Sequence, residues 1–277
     1  MCVATQHLCI FTTYDAHTQY FFLYAVILSG KSRGSGMSVF SKTRFLYFCS
    51  MENSEVYIII VAAGRGQRFG SDIPKQFCDL RGRPVLMHAI DAMRQAFPEA
   101  SMGLALNSAY MNLWHDLCRK HNFTSPRVTR GGLTRAHSVR NALGVIPEGI
   151  RIIGIHDGAR PLASPSMVRA VAQAVADGAD GALPALPPTD SLRRILPDGH
   201  SGAVDRSMFR TVQTPQFFRA GILLDAYGEE LPATATDDAS VVEAFCPGAD
   251  IVLVDGDHHN IKITQPGDLK IADLYMP

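Results

Sequence analysis

The sequence predicts an α/β fold in which helices cover both faces of a parallel sheet. From residue 56 onward, strand-like apolar runs alternate with helical patterns, strand then helix, four times in succession. The runs are almost continuously apolar, which is typical of strands that are buried on both faces. Polar motifs follow these runs, at the carboxyl ends where such sheets bind their ligands. We therefore expect one ligand-binding edge of one sheet.

The predicted elements are short and closely spaced. The strand-like runs are 56–63, 101–106, 127–130, 151–156 and 181–186, and the helical patterns are 84–96, 109–121, 134–145 and 166–177. Residues 187–210 depart from this pattern, because Pro197-Asp198-Gly199 marks a turn between two short strand-like pieces. We call this stretch the arm and expect a projecting β-hairpin that packs on a second subunit.

The first fifty residues differ in composition from the rest. They contain an apolar run at 20–28 that is much shorter than the roughly 20 residues needed to span a bilayer. No Lys or Arg precedes Lys31, whereas a secretory signal begins with basic residues. We expect residues 1–50 to be a poorly ordered extension or the product of an upstream start-site choice. A targeting peptide is the alternative.

Composition narrows the classes of function. Apolar residues make up 47% of the 277 residues and charged residues 19%, as in a globular protein. The 26 basic residues balance the 26 acidic ones, so nothing predicts a nucleic-acid partner. The six cysteines form no CxxC pair, which favours free thiols in a reducing compartment. We expect a cytoplasmic protein that binds neither nucleic acid nor membrane.

The motif VAAGRGQRFG follows the first predicted strand. Its small residues Ala62, Ala63 and Gly64 let backbone N–H groups approach a ligand, and amides at a strand-to-helix turn favour anions. The motif is neither a Walker loop nor a GxGxxG fingerprint. Tight packing of strand on helix is the alternative explanation for the glycines.

Two cationic residues near this motif favour a function in phosphate chemistry. Arg68 and Lys75 flank a turn that ends at Pro74, so both can converge on one anionic group. A phosphate under nucleophilic attack gains charge on its equatorial oxygens, and fixed cations stabilise that charge. The alternative is a pair of ordinary surface cations.

The motif GGLTRAHS follows the third predicted strand. Backbone amides of Gly131 and Gly132, with the hydroxyl of Ser138, can read the hydrogen-bonding edge of a base. Thr134 is also a good helix cap, and the two interpretations are compatible.

The motif HDGARP follows the fourth predicted strand. Asp157 at this position can hold a magnesium ion or a sugar hydroxyl. A salt bridge to Arg160 is the structural alternative. We interpret His156 as a buried histidine with satisfied hydrogen bonds. Further along, the alternation with Ile261 and Ile263 would by itself direct Lys262 to solvent.

Seven motifs in order carry a resemblance to a known family: AAGRGQRFG…PKQ, GGLTRAHS, HDGARP, VDR, TPQFF, TDDAS and NIKIT. Over residues 56–275 the chain resembles the 2-C-methyl-D-erythritol 4-phosphate cytidylyltransferases. The resemblance implies a Rossmann-like three-layer nucleotidyltransferase sheet in residues 51–277, with a projecting β-arm for dimerisation. It implies transfer of CMP from CTP to 2-C-methyl-D-erythritol 4-phosphate, giving 4-diphosphocytidyl-2-C-methyl-D-erythritol and pyrophosphate. It also implies Mg²⁺ held mainly through the CTP phosphates, and a homodimer in which each arm completes the other subunit's site.

The resemblance assigns roles position by position. It implies that Arg68 and Lys75 stabilise the pentacoordinate α-phosphate, and that Arg206 and Lys262 place the acceptor phosphate for attack. The residues implied around cytidine are Ala62, Ala63, Gly132 and Ser138, and those implied around the acceptor are Asp157, Ser191 and Thr236. The same motifs supply Gly64, Arg135, Arg160 and Thr214 as further candidates for substrate binding. No residue is assigned as a metal ligand.

The chain departs from the family pattern at three positions. Gln67 replaces a residue that is commonly basic, Leu133 replaces one that is often acidic, and Ser191 replaces a usual Thr. Two other functions stay open: a ribitol-5-phosphate cytidylyltransferase, which shares the loop and the CTP chemistry, and a nucleotide-binding regulatory module without turnover. The motifs HDGARP and TDDASVVE favour the methylerythritol enzyme, and the paired cations disfavour the module.

Overall fold

The chain divides into two units, Met1–Ser50 and Met51–Pro277. A computed structural model describes residues 6–15, 20–29, 53–64, 73–231 and 235–276. In the first unit, β1 (Gln6–Asp15) pairs antiparallel with β2 (Tyr20–Ser29). The expectation that residues 1–50 are a poorly ordered extension or the product of an upstream start-site choice stays a prediction.

A protein that begins at Met51 is expected to fold and react like the full chain. The reason is that the hydrophobic core of the second unit starts at Val56, within that unit. Thermal unfolding and turnover of the two proteins, measured side by side, check this. Aggregation or lost activity of the shorter protein would show that residues 1–50 support the domain.

The second unit contains the predicted alternation of strands and helices. Its strands are β3 (Val56–Ala62), β4 (Asp79–Leu80), β5 (Arg83–Pro84), β6 (Ser101–Leu106), β7 (Arg127–Arg130), β8 (Ile152–Asp157), β9 (Gly181–Leu186), β10 (Arg193–Ile195), β11 (Ser201–Ala203), β12 (Thr211–Val212), β13 (Gln216–Arg219) and β14 (Ile251–Asp255). Its helices are α1 (Val85–Ala96), α2 (Met111–Lys120), α3 (Arg135–Leu143), α4 (Pro165–Ala176), α5 (Ala220–Gly228), α6 (Asp238–Phe245) and α7 (Gly267–Tyr275). The five strands and four helices predicted from the sequence are confirmed, each end within 2 residues.

The central sheet is mixed rather than wholly parallel. Its order is β12-β9-β13-β8-β3-β6-β7, with β14 beside β9. Strands β8, β3, β6 and β7 are parallel, as are β9 and β14. Strand β13 is antiparallel to both β8 and β9, and β12 is antiparallel to β9. The five strands predicted from the sequence therefore run in one direction, as expected, and the antiparallel strands are β12 and β13, which were not predicted.

Two glycines make room for the inserted strand β13. A Cβ atom on Gly154 of β8 would lie 2.4 Å from the Phe217 ring, and one on Gly181 of β9 would lie 2.5 Å from the Phe218 ring. Both phenylalanines are fully buried. Glycine inside a strand often marks such a close approach, so the sequence carried a signal for β13.

The side chains of β3 alternate between two hydrophobic layers. Ile58 and Ile60 belong to the cluster that includes Leu86 of α1, whereas Ile59 belongs to the cluster that includes Val139 of α3. Successive strand residues point to opposite faces, so a continuous apolar run fills both layers. Each fully buried isoleucine contributes about 1.5–3 kcal/mol of transfer free energy. The result is the three-layer α/β fold that the sequence predicted.

The arm contains the predicted hairpin. β10 and β11 pair antiparallel, and Gly199 in the turn has φ of +84°, a conformation that favours glycine. Ile195 and Met208 in the arm are 71% and 80% exposed. A role of the arm in dimerisation stays a prediction. Within the described residues no helix has the length and hydropathy to cross a membrane.

Candidate active site

The loops after β3, β7 and β8 lie side by side at one sheet edge. The parallel register places Asp157 of β8 opposite Val61 of β3, and Ala62 opposite Leu106 of β6. The Gly131 amide then donates to the Leu106 carbonyl at 2.8 Å, which extends the edge to the loop after β7. The predicted convergence of motifs at the carboxyl ends of the strands is confirmed for these three loops.

A buried glutamine fixes the start of the glycine-rich loop. The Gln76 side-chain amide donates to the carbonyls of Ala62 at 2.8 Å and Gly64 at 3.1 Å, and Gln76 is only 3% exposed. Residues 65–72, which include Arg68, lie outside the described residues. Gln76 was not assigned a role from the sequence, although the PKQ motif contains it.

Lys75 precedes this glutamine and is half-buried. It starts a short 3₁₀-helix, Lys75–Phe77. Burial would raise the pKa of Asp268, but hydrogen bonds from Thr264 and Gln265 and the charge of Lys75 lower it. The charge of Lys75 thus acts on Asp268 in the first turn of α7. Helix α7 begins shortly after the segment that carries Lys262.

The loop after β7 is shaped by its own hydrogen bonds. The Gly132 amide donates to the Ser138 hydroxyl at 3.0 Å, and that hydroxyl donates to the Thr134 carbonyl at 2.8 Å. Thr134 also caps α3 by accepting from the His137 amide. The cap at Thr134 is confirmed, whereas base recognition by this loop stays a prediction, because the Gly131 and Gly132 amides and the Ser138 hydroxyl bond within the protein. Leu133 is 98% exposed, so its side chain makes little contact with the protein.

Asp157 is paired with several cationic side chains at this edge. Its carboxylate lies 2.7 Å from Lys262 Nζ and accepts from Arg135 Nε at 3.1 Å. The ion pair with Arg160 is longer, at 3.9 Å. Burial would raise the pKa of Asp157, but the charges of Arg135 and Lys262 hold this pKa well below its usual range. The carboxylate is therefore ionised at neutral pH. The Lys262 side chain is 40% exposed, so the expectation that it faces solvent was only partly correct.

Arg135 spans two carboxylates. Its two Nη atoms donate to the two oxygens of Asp238 at 2.9 and 2.7 Å, while its Nε donates to Asp157. Asp238 is fully buried and also accepts from the Tyr227 hydroxyl at 2.6 Å. Burial would lower the pKa of Arg135, but Asp238 and Asp157 raise it well above its ordinary value. Sequence reasoning missed Asp238, although it lies in the TDDAS motif.

Arg160 and Thr214 belong to a hydrogen-bond network that connects Asp157 with the segment before Lys262. Arg160 donates to the Asn260 carbonyl at 2.7 Å, and the Asn260 side chain donates to the Thr214 carbonyl at 2.9 Å. The Thr214 hydroxyl accepts from the Asp157 amide at 3.0 Å. Asn260 is fully buried two residues before Lys262, so this network fixes the segment that carries the lysine. Sequence reasoning missed Asn260 as well, although it opens the NIKIT motif.

The remaining predicted residues are more peripheral. Thr236 is exposed and immediately precedes the capping box of α6. Ser191 and Arg206 are exposed on the arm, and the Arg206 guanidinium donates to the Thr189 carbonyl within the arm. Among the described residues no hydrogen bond or ion pair joins Ser191 or Arg206 to Asp157 or Lys262.

His156 is a neutral buried histidine, as the sequence suggested. Its Nε2 donates to the Arg160 carbonyl at 3.0 Å, and its Nδ1 accepts from the Thr214 hydroxyl at 3.2 Å. The Arg160 carbonyl can only accept, so Nε2 carries the proton of the neutral ring, and Nδ1 is left to accept from the Thr214 hydroxyl. Burial lowers the pKa of His156 from 6.5 to about 4.

This histidine predicts a loss of stability in acid. Because its pKa is lower in the folded than in the unfolded state, its contribution is complete above pH 6.5 and declines as the pH falls toward about 4. The loss amounts to about 3 kcal/mol. Denaturant unfolding across this pH range checks it. His156→Gln should flatten the profile, whereas His200→Gln, which changes a histidine with an 82% exposed side chain, should not. An equally steep profile in His156→Gln would contradict the assignment.

Comparison with known proteins identifies the family. The family model for 2-C-methyl-D-erythritol 4-phosphate cytidylyltransferase matches residues 56–277. A protein of that name from Porphyromonas gingivalis is 43% identical over 221 residues, covering 79% of this chain and 97% of the relative. One from Bacteroides thetaiotaomicron is 41% identical over 220 residues, covering 79% and 98%. The crystal structure of 2-C-methyl-D-erythritol 4-phosphate cytidylyltransferase from Thermus thermophilus has 31% identity and a TM-score of 0.61, covering 79% of this chain and 97% of that one. The chain therefore belongs to the 2-C-methyl-D-erythritol 4-phosphate cytidylyltransferase family.

Proposed function

We propose that this chain transfers CMP from CTP to 2-C-methyl-D-erythritol 4-phosphate, giving 4-diphosphocytidyl-2-C-methyl-D-erythritol and pyrophosphate. One observation supports this most directly. Lys262 pairs with Asp157 at 2.7 Å beside the small-residue end of β3, so a cation for the acceptor phosphate adjoins the loop for the triphosphate. Membership of the family supplies the identity of the two substrates.

The nucleotide binds along the loops after β3 and β7. Ala62, Ala63 and Gly64 admit the triphosphate because they carry no bulky side chains. Gly132 and Ser138 form the wall for cytidine, and Leu133 leaves base recognition to backbone groups.

The acceptor binds beside Asp157 and Lys262. The ionised carboxylate accepts hydrogen bonds from hydroxyls of the polyol, and the partly exposed lysine meets its phosphate. Thr236, Ser191 and Arg206 complete this subsite, the last two from the arm.

The reaction needs no covalent enzyme intermediate. A phosphate oxygen of the acceptor, already anionic near neutral pH, attacks the α-phosphorus of CTP, and pyrophosphate leaves with the electrons of the cleaved P–O bond. Catalysis is then positioning together with charge stabilisation by Arg68 and Lys75. Mg²⁺, as the family resemblance implies, would be held mainly through the CTP phosphates, where it would neutralise part of their charge.

We also propose a homodimer and a cytoplasmic location. The arm exposes Ile195, Met208 and Phe209, which a partner subunit would cover. Cys78, Cys118 and Cys246 are free thiols, as expected in a reducing compartment.

Acceptor preference tests the proposed function. Pyrophosphate release from CTP is measured with 2-C-methyl-D-erythritol 4-phosphate, with ribitol 5-phosphate and without acceptor. We expect the highest kcat/KM with the methylerythritol substrate. A higher value with ribitol 5-phosphate would support the rival cytidylyltransferase, and no release with either acceptor would support a non-catalytic module.

A further inference from the structure

We infer that Arg135, although it belongs to the loop proposed for CTP, is a positioning residue for the acceptor subsite. The inference rests on the proposed function and reassigns a residue that sequence reasoning placed among the substrate ligands. It follows from the bonds that the Arg135 guanidinium makes and from what the partners of these bonds hold.

The guanidinium is committed to the protein. Its two Nη atoms grip both oxygens of Asp238, and its Nε donates to Asp157. These bonds occupy the two edges with which an arginine binds a phosphate or carboxylate in bidentate fashion. The Arg135 side chain is 26% exposed, and the Asp238 side chain is not exposed at all. The geometry thus favours an internal clamp, in which Arg135 holds two carboxylates of its own chain, over a contact with substrate.

The partners of the clamp belong to the acceptor side. Asp157 pairs with Lys262, the proposed phosphate ligand. Asp238 is the first residue of α6 and comes two residues after Thr236, another proposed acceptor ligand. Arg135 itself opens α3. One side chain therefore ties α3 to the end of β8 and the start of α6, and sets where the acceptor groups lie.

Neighbouring groups hold the start of α6 from the other side. The Gln216 side-chain oxygen accepts from the amides of Asp238 and Ala239, both at 3.1 Å. The Tyr227 hydroxyl donates to Asp238. Asp238 is thus held from both sides, and a shift of the Arg135 end would be passed to Asp157, which has Lys262 as its other close partner.

Arg135→Lys is the informative variant. It keeps a positive charge beside the buried Asp238, but a lysine cannot span two carboxylates with a planar fork. We expect kcat/KM for the acceptor to fall about 10- to 100-fold, because displaced positioning groups cost rate even without contacting the reacting atoms. The affinity for CTP alone, measured by equilibrium titration without acceptor, should stay near the wild-type value.

Arg140→Lys is the matched control. Arg140 lies on the same helix, and its guanidinium donates to the carbonyls of Tyr227 and Glu229 rather than to a carboxylate. The Arg140→Lys variant should leave kcat/KM for the acceptor and the affinity for CTP near their wild-type values. Tyr227→Phe is a milder second variant, because it removes one bond to Asp238 and keeps Arg135. It should weaken acceptor use by less than Arg135→Lys does, again with CTP affinity retained.

A double-mutant cycle with Asp157→Asn separates positioning from general damage. If Arg135 acts through Asp157, the effect of Arg135→Lys on the acceptor should shrink in the Asp157→Asn background. Additive effects, or a loss of CTP affinity with acceptor use intact, would overturn the inference alone. A wild-type protein that turns over no CTP would overturn the proposed function, and the inference with it.

Discussion

Lys75→Ala is expected to lower kcat by about 10²- to 10³-fold and to change the KM for CTP far less. The proposed role of the lysine is to stabilise charge that develops on the α-phosphate during attack, so its loss is felt mainly in the transition state. Its position is well defined, because the adjacent Gln76 is bonded to the carbonyls of Ala62 and Gly64. The ammonium is thus carried by a segment attached to the loop itself.

Steady-state kinetics of this variant are compared with those of a control variant at a lysine outside the site. Lys120→Ala removes an exposed lysine at the end of α2, outside the motifs of the site, and should be neutral. Turnover of Lys75→Ala within a few-fold of wild type would show that the assigned role is wrong. A raised KM with unchanged kcat would mean that Lys75 binds the ground state and the transition state equally.

Mixed dimers of Arg206→Ala and Lys75→Ala are expected to recover activity that both parent homodimers lack. If the arm crosses to the partner, each site takes Arg206 from one chain and Lys75 from the other. A heterodimer then has one site with both lesions and one intact site, and reaches up to about half of wild-type activity. In a single chain the Arg206 guanidinium is exposed and bonds within the arm to Thr189.

The alternative arrangement has the opposite outcome. An arm that serves its own subunit puts Arg206 and Lys75 of the same chain in one site. Every site of the heterodimer would then carry one lesion, and mixing would restore nothing. Co-expression with two different tags yields the purified heterodimer. No recovery in that preparation would end the proposal of a shared site and leave the family assignment standing.

Much of the fold could be predicted from the sequence because its main signal is local. Buried parallel strands read as continuous apolar runs, and 56–63 shows such a run. Strand β13 was missed because it has 4 residues and pairs antiparallel between two strands that are remote in the sequence. The sequence indicated β13 only indirectly, through Gly154 and Gly181, which lack side chains and so leave room for the two phenylalanines of this strand.

The site was predictable where motifs carry it and not where distant residues pair. Lys262 was assigned to the site only through the family resemblance, because its alternation with isoleucines predicted solvent. The clamp between Arg135 and Asp238 joins residues 103 apart, and the bond from Arg160 to Asn260 joins residues 100 apart. A single sequence gives the chemical types of these residues but not which of them meet. That information lies in the packing of α3, α6 and the ends of the strands.

The fate of an oxygen-18 label tests the central claim most directly. The non-bridging oxygens of the acceptor phosphate are labelled, the protein is supplied with CTP and Mg²⁺, and products are analysed by phosphorus NMR and mass spectrometry. Attack by the acceptor on the α-phosphorus predicts equimolar pyrophosphate and 4-diphosphocytidyl-2-C-methyl-D-erythritol, with all of the label in the latter. Label in the pyrophosphate, or pyrophosphate released with CMP as the only nucleotide product, would contradict it.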